Sequence, residues 1–255
     1  MTTMKSPSEN ALETTVHQII TKRIKTFQHL QFCFCNPVKT ARARAINNAK
    51  TPIFKTQPYL GVMNFTPHQI LQILSKPKLK RRAKLYYTFG VSIGNILLIE
   101  NPLEFIKSLG ILVEELDMHI EISNGNSVKR YFTKMLNPTD NTSDFPDQTE
   151  PKSYTYLELL NFPFEYDLVV VFDSFCTMAI SCYQKLEELV SLPSFSQQVE
   201  TFERIDNRFR LIIQTVLKEA DENFRSIISS EFQSIDTLRK PKNEPNVQMN
   251  IPDHS

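Results

Sequence analysis

With 255 residues, 41% of them hydrophobic, the chain is long enough to bury a core, and its formal net charge of +1 excludes a strong overall attraction to nucleic acid or membranes. A content of only 5 glycines argues against glycine-rich phosphate loops and against many tight hairpin turns, while 15 prolines mark places where helices begin or end. The polar N-terminus predicts no secretory signal, so the 4 cysteines are expected to be reduced thiols of a protein in the cytoplasm or the nucleus.

The first part of the chain predicts one helix followed by a basic loop. Residues 1–9 are polar and are expected to be disordered. From Asn10 onward, apolar side chains recur at helical spacing, and this helix is expected to stop before Pro37 because proline cannot continue a regular helix. The basic segment 37–58 predicts a loop, within which residues 40–48 can form a short helix.

The middle of the chain predicts a series of helices with short connections. Thr66 and Gln69 have the spacing of a capping box, so a helix should begin there and end near Ser75. Two further helices are predicted over residues 77–98 and 102–122, each opened by a proline. Connections this short usually place consecutive helices side by side and antiparallel.

Two apolar stretches, residues 85–99 and 168–183, are candidates for membrane spans, but both are too short to cross a bilayer as a helix. A helix of about 15 residues rises only about 22 Å, against a hydrocarbon core of about 30 Å. We therefore predict buried helices and no transmembrane segment. In the first stretch, Gly90 and Gly94 lie one turn apart and predict the close approach of another helix.

The second half of the chain begins with an acidic, proline-broken segment over residues 125–152, which predicts a flexible loop inside the domain. An apolar helix is then expected to run to about Leu192. A long amphipathic helix is predicted over residues 194–238, and the tail 239–255 is expected to be disordered.

The long C-terminal helix is the strongest pattern in the sequence. Its acidic residues lie four positions before basic ones, which predicts three ion pairs on a solvated face: Glu200 with Arg204, Asp206 with Arg210, and Asp221 with Arg225. A helix of roughly 40 residues would be about 60 Å long, more than one small domain covers, so part of it should meet a partner or the helix should end earlier. Its apolar face comprises Val199, Phe202, Ile205, Phe209, Ile212, Val216, Ala220, Phe224, Ile227 and Phe232.

These patterns predict an all-α fold, an antiparallel helical domain of about five to seven helices over residues 10–236, interrupted by the acidic loop. The side chains expected in its core are Leu97, Ile111, Val170, Phe175, Phe209 and Val216.

A cluster of basic residues, which we call the basic cluster, lies at the start of a predicted helix: Lys76, Lys78, Lys80, Arg81, Arg82 and Lys84. The helix dipole disfavours cations at that end, so the cluster predicts a negatively charged partner. The alternatives are internal carboxylates at Glu114, Glu115 or Asp117, the acidic loop, a phosphate-bearing surface, a nuclear-import receptor that recognises residues 76–82, or a merely solvated helix end. Further basic residues that extend the patch are Lys39, Arg42, Arg44 and Lys50.

No catalytic, cofactor-binding or metal-binding set emerges from the sequence. The pair Cys33 and Cys35 lacks the other half of a zinc site, so buried thiols are the expected interpretation. His119 lies four residues after Glu115, which could raise the pKa of its imidazole or orient a general base, but a solvated acidic face is the preferred interpretation.

The sequence thus favours an intracellular interaction or scaffold protein without enzymatic activity. Another protein would contact either the basic cluster or the C-terminal helix. The first alternative is a nucleic-acid or anionic-membrane binder that acts through residues 39–84. The second is an enzyme whose active site is assembled from residues distant in sequence.

Overall fold

The computed structural model describes residues 7–46, 66–74, 77–123, 154–160, 163 and 165–235, and within these ranges its regular structure is entirely helical, which confirms the predicted all-α class. The predicted acidic loop and the tail 239–255 lie outside the described residues. The α-helices are α1 (Pro7–Leu30), α2 (Asn36–Ile46), α3 (Pro67–Leu74), α4 (Pro77–Ile96), α5 (Pro102–Ser123), α6 (Leu168–Val190) and α7 (Val199–Ile235). Within these ranges, none of the helices has the length and apolar character needed to cross a bilayer.

The first helix does not stop at Pro37, so that prediction was wrong. A π-helical turn over Gln31–Cys35 connects α1 directly to α2, and the N–H of Asn36 donates to the carbonyl oxygen of Gln31, five residues earlier. Proline lacks an N–H group and clashes with the carbonyl four residues before it in a regular helix. In the π-helical turn, hydrogen bonds span five residues instead of four. This turn lies just before Pro37, and the chain continues as a helix through the proline.

Helix starts follow the predicted capping chemistry. The N–H of Thr66 donates to Oε1 of Gln69 at 2.9 Å, and the N–H of Gln69 donates to Oγ1 of Thr66 at 3.3 Å, which confirms the capping box of α3. Asn101 caps α5 by accepting from the N–H of Leu103 at 3.0 Å. Asp167 caps α6, with its carboxylate accepting from the backbone of the first turn.

An aromatic cluster between α1, α4, α6 and α7 forms the centre of the core. Phe209 lies in this cluster with ring centroids 5.9 Å from Phe27, 5.7 Å from Phe89 and 5.4 Å from Tyr183. Phe175 of α6 contacts three of the same helices. Phe175, Phe209 and Val216 are buried, as predicted.

Three of the predicted core residues lie elsewhere. Ile111 and Val170 are exposed, and Leu97 is only half-buried. Each of the two exposed residues belongs to a run of apolar residues in a helix, and successive residues are rotated by about 100°. One member of such a run therefore points to solvent, while Leu112 and Val169 take the inward positions.

A buried ion pair joins α1 to α7. Nε and Nη2 of Arg23 donate to the two carboxylate oxygens of Asp206 at 2.7 and 2.8 Å, and the hydroxyl of Tyr183 donates to the same carboxylate at 2.8 Å. Burial and the neighbouring Asp206 raise the pKa of Tyr183 well above its usual value, so the phenol keeps its proton. The predicted pairing of Asp206 with Arg210 was therefore wrong.

The long helix is preceded by a 3₁₀ turn over Pro193–Gln198, so its α-helical part begins later than predicted. The chain divides into two compact units, Met1–Gln214 and Thr215–Ser255, with the boundary inside α7. In the second unit Phe224 is buried while Phe232 is exposed, and Arg225 pairs with Asp221 at 2.8 Å as predicted. The single domain over residues 10–236 stays a prediction.

Gly90 lies against the backbone of α6, as the predicted close helix approach requires, while Gly110 lies against side chains of α7. A Cβ atom at Gly90 would lie 3.8 Å from the Cα of Phe175, an ordinary van der Waals distance. At Gly110 it would meet Cγ2 of Thr201 at 2.8 Å, and a β-branched side chain in a helix cannot easily rotate away.

We expect Gly110→Ala to lower the free energy of unfolding by about 1 to 3 kcal/mol, because the added methyl group forces α5 and α7 apart. Gly90→Ala is the matched control, and it should raise the free energy of unfolding by up to about 1 kcal/mol through better helix propensity. Urea unfolding followed by circular dichroism measures both changes. A Gly110→Ala variant as stable as Gly90→Ala would contradict the close approach.

Candidate partner-binding surface

Helix α5 and the first part of α7 lie side by side and run in the same direction. Three contacts follow each other along the two helices: Gly110 against Thr201, Glu114 with Arg204, and Asp117 with Arg208 at 2.7 Å. The residue numbers rise together on both helices, which defines the parallel arrangement. Because Arg204 pairs with Glu114, the predicted pairing of Arg204 with Glu200 was wrong.

An open groove of about 330 Å³ follows this helix pair. We call it the charged groove, and its lining residues are Asp117, Glu200, Glu203, Arg204, Asn207, Arg208 and Leu211. Two arginines thus face three carboxylates. Both arginines are paired with carboxylates of α5, whereas Glu200 and Glu203 are exposed on the α7 wall. The groove is therefore slightly acidic and is suited to a partner that brings a basic side chain.

Arg208 is the most desolvated charge of the charged groove. Burial lowers the pKa of its guanidinium, Asp117 opposes that shift, and nearby Arg82 adds to it. Among the described residues, the Nε atom of Arg208 is buried and has no hydrogen-bond partner. A buried donor without an acceptor costs stability.

Exposed apolar side chains lie on both helices that form the charged groove. Ile111, Met118 and Ile122 are 41%, 40% and 48% exposed, and Leu211 at the end of the groove is 50% exposed. The first three are separated by seven and four residues, so they share one face of α5. We call these four side chains together with the charged groove the α5–α7 face. A row of large apolar residues beside a charged groove is typical of a protein-binding surface.

Only part of the basic cluster can be placed. Lys76 lies outside the described residues, as do the side chains of Lys78, Lys80 and Arg81, although the last three belong to the first turns of α4. Arg82 is half-buried and close enough to Arg208 to lower its pKa. Lys84 is exposed and lowers the pKa of His119. The end of the basic cluster therefore borders the α5–α7 face.

The carboxylates considered as internal partners of the basic cluster each have at least one contact outside that cluster. Glu114 pairs with Arg204, Asp117 pairs with Arg208, and Glu115 accepts hydrogen bonds from the backbone of residues 155–157. The suggested extensions of the patch also have acidic neighbours. Lys39 pairs with Asp173 and Arg42 pairs with Asp167, both at the start of α6.

His119 does not have the environment of a general base with a raised pKa. Burial, followed by the charge of Lys84, lowers the pKa of its imidazole, which contradicts the shift considered from its spacing to Glu115. The ring of His119 instead packs edge-on against Tyr154, with centroids 6.0 Å apart. Its role in the described structure is therefore packing.

The cysteines are buried free thiols, as predicted. Burial raises the pKa of Cys33, and burial together with nearby Asp173 raises the pKa of Cys35 to about 12, although Lys39 opposes this. Thiols with such pKa values stay protonated at neutral pH, and the protonated form is a poor nucleophile and metal ligand. Within the described ranges, no group of three or more His, Cys, Asp and Glu side chains is placed to hold a metal ion.

Sequence reasoning missed the apolar residues of the α5–α7 face because it assigned Ile111 to the core. A signal was available in the spacing of Ile111, Met118 and Ile122 alongside Glu114 on the same helix. A helix that is apolar on most of its circumference hides such a row, since every apolar position can be interpreted as core.

Comparison with known proteins found no matching family model, no matching curated protein and no matching solved structure.

Proposed function

We propose that this chain is an intracellular, non-enzymatic interaction protein that binds another protein through the α5–α7 face. The observation that carries the proposal is the row of exposed aliphatic side chains Ile111, Met118 and Ile122 on α5, together with exposed Leu211, which lines the charged groove. Leaving large apolar groups in water is unfavourable, and burying them in an interface supplies a driving force for association.

Charges of the face favour a protein partner over an anionic polymer. The two arginines of the charged groove are already paired with carboxylates, while Glu200 and Glu203 would repel phosphate groups. Lys39 and Arg42, which a nucleic-acid binder would use, pair with aspartates of α6 and its cap. Strong phosphate binding needs several basic side chains that are free of such neighbours.

The partner segment that fits best is an amphipathic helix or loop. Its apolar side would cover Ile111 and Met118, and a lysine or arginine would reach Glu200 or Glu203. Acidic groups at its edge would meet Arg82 and Lys84, which border the same face. In this arrangement the basic cluster and the C-terminal helix serve one partner rather than two.

The decisive experiment compares two variants in binding to a partner recovered with the full chain and then purified. Ile111→Glu combined with Leu211→Glu should weaken the measured dissociation constant by at least about tenfold, because charges replace the apolar contacts. The control Val170→Glu changes an equally exposed apolar residue on α6 and should leave binding unchanged. Thermal melting of all three proteins should agree, since none of the changed side chains is buried.

The same proteins should also be tested with duplex and single-stranded nucleic acid and with anionic vesicles. The matching variant is the triple change Lys78→Gln, Arg81→Gln and Arg82→Gln. Binding that falls steeply with salt, disappears in the triple variant and survives in the double glutamate variant would establish the nucleic-acid or membrane alternative and overturn the proposal.

A further inference from the structure

A short irregular segment, residues 154–158, lies across α4 and α5 and is held by a buried carboxylate. The N–H groups of Tyr156 and Leu157 donate to Oε2 of Glu115 at 2.9 and 2.8 Å, and the N–H of Thr155 donates to Oε1. Glu115 is only 5% exposed. A carboxylate of α5 thus receives three consecutive backbone donors from a segment that is neither helix nor strand.

Helix α4 holds the next residue of the segment. The N–H of Glu158 donates to the buried hydroxyl oxygen of Ser92 at 2.9 Å, and the amide of Asn95 donates to the Glu158 carboxylate at 2.6 Å. The only side chain of the segment that is fully buried is that of Leu157. Recognition therefore combines four successive backbone N–H groups with one apolar side chain, one carboxylate and the hydroxyl of Tyr156, which accepts from Oγ of Ser108 at 2.9 Å.

The receiving groups belong to helices whose own backbone bonds do not depend on the segment. Ser92 also donates to the carbonyl oxygen of Thr88 at 2.9 Å, which fixes its hydroxyl as an acceptor for an incoming N–H. A carboxylate as buried as Glu115 is unfavourable unless hydrogen bonds compensate it, so the site is built for a bound backbone. Main-chain donors with one apolar anchor are also the means by which extended peptides are recognised in general.

We propose that the cleft between α4 and α5 is a peptide-binding site, that residues 154–158 are its resident intramolecular ligand, and that it accepts an extended segment of a partner protein with the same Leu-Glu pattern. We call it the α4–α5 cleft. The ring of Tyr154 packs against His119, and the buried position of Leu157 and the amide of Asn95 select leucine followed by an acidic residue. This proposal is independent of the α5–α7 face.

Exchange of the ligand requires the resident segment to detach without unfolding of the domain. Thr155, Glu158 and Leu159 are exposed, and Tyr154 and Tyr156 are half-buried, so detachment uncovers little apolar surface beyond Leu157. Segments with few buried apolar contacts open locally at much lower free energy than core helices. Because the resident segment is tethered to the cleft, its effective concentration there is high. A free peptide therefore binds only when its own concentration is high or when the resident segment has detached.

The first test uses the full chain with Leu157→Asp, which detaches the resident segment, and a fluorescent peptide Tyr-Thr-Tyr-Leu-Glu-Leu-Leu, the sequence of residues 154–160. Anisotropy should show binding to this variant at least about tenfold tighter than to the parent chain, whose cleft is filled. Adding Glu115→Gln, or methylating the peptide nitrogens that correspond to Tyr156 and Leu157, should abolish binding. A helical Leu157→Asp protein that does not bind the peptide overturns the proposal.

The second test needs no substitution and decides the matter if Leu157→Asp does not fold. Amide hydrogen exchange of the parent chain, isotope-labelled and followed by NMR, is compared with and without millimolar unlabelled peptide. The peptide should accelerate exchange at residues 155–158 and leave the amides of α6 unchanged, while the N-methylated peptide should have no effect. Exchange at residues 155–158 that occurs only at the rate of the α6 core, with or without peptide, overturns the proposal.

Discussion

Truncation of Phe209 to alanine is expected to lower the free energy of unfolding by about 3 to 5 kcal/mol. The side chain is fully buried and its ring contacts Phe27, Phe89, Phe175 and Tyr183, so the change leaves a cavity that four rings from three other helices cannot fill without moving. A loss of this size is a large fraction of the total stability of a typical domain.

The matched control for Phe209 is Leu211→Ala, two residues further along the same helix. Leu211 is half-exposed, so its truncation should change stability by less than about 0.5 kcal/mol. Urea unfolding curves of the two variants, fitted with a common slope, provide the comparison. Equal midpoints for the two variants would contradict the placement of α7 against the aromatic cluster.

Asp206→Asn is expected to cost about 3 to 5 kcal/mol, because it removes the charge partner of Arg23 at a site that is largely closed to water. The two side chains are only 14% and 10% exposed, and the same carboxylate also accepts the hydroxyl of Tyr183. The hydrogen bond with Asp206 raises the pKa of Arg23. Arginine does not lose its proton in proteins even without such a partner, so the guanidinium keeps its charge after the substitution. An amide at position 206 cannot compensate that charge.

Two further variants separate charge from packing at this site. Arg23→Met combined with Asp206→Leu removes both charges and should recover much of the loss, since apolar replacement of a buried pair is often neutral. Asp221→Asn breaks the exposed pair with Arg225 and should change stability by no more than about 0.5 kcal/mol. A loss at Asp206 as small as that at Asp221 would show that the Arg23 pair is solvated in solution.

Helix starts were predictable because their signals are local. The capping box of Thr66 and Gln69 depends on residues within one turn, and the structure forms it as the pattern requires. The partner of Asp206 was not predictable, since Arg210 is four residues away while Arg23 is separated from it by 183 positions. A pattern within one helix identifies only ion-pair partners that are close in sequence. The more buried partner on another helix forms the pair instead.

The candidate site was predictable in its helices but not in its surface. The pattern identified α5 and α7, yet it could not tell which member of the run Ile111, Leu112 and Val113 points outward, because that depends on which helices lie on either side. The partner of Glu115 was equally hidden. Its spacing to His119 suggested a local interaction, whereas its acceptors are used by backbone groups of residues 155–157, 40 or more positions away.

The π-helical turn before Pro37 has a consequence for insertions and deletions. A π-helical turn contains one residue more than a turn of regular α-helix. One residue of an α-helix corresponds to a rotation of about 100° about the helix axis. Removing a residue between Gln31 and Cys35 would therefore turn α2 about its axis relative to α1. Lys39 and Arg42 would then face away from Asp173 and Asp167, with which they now pair. The π-helical turn in this way sets the rotation of α2 about its axis relative to α6.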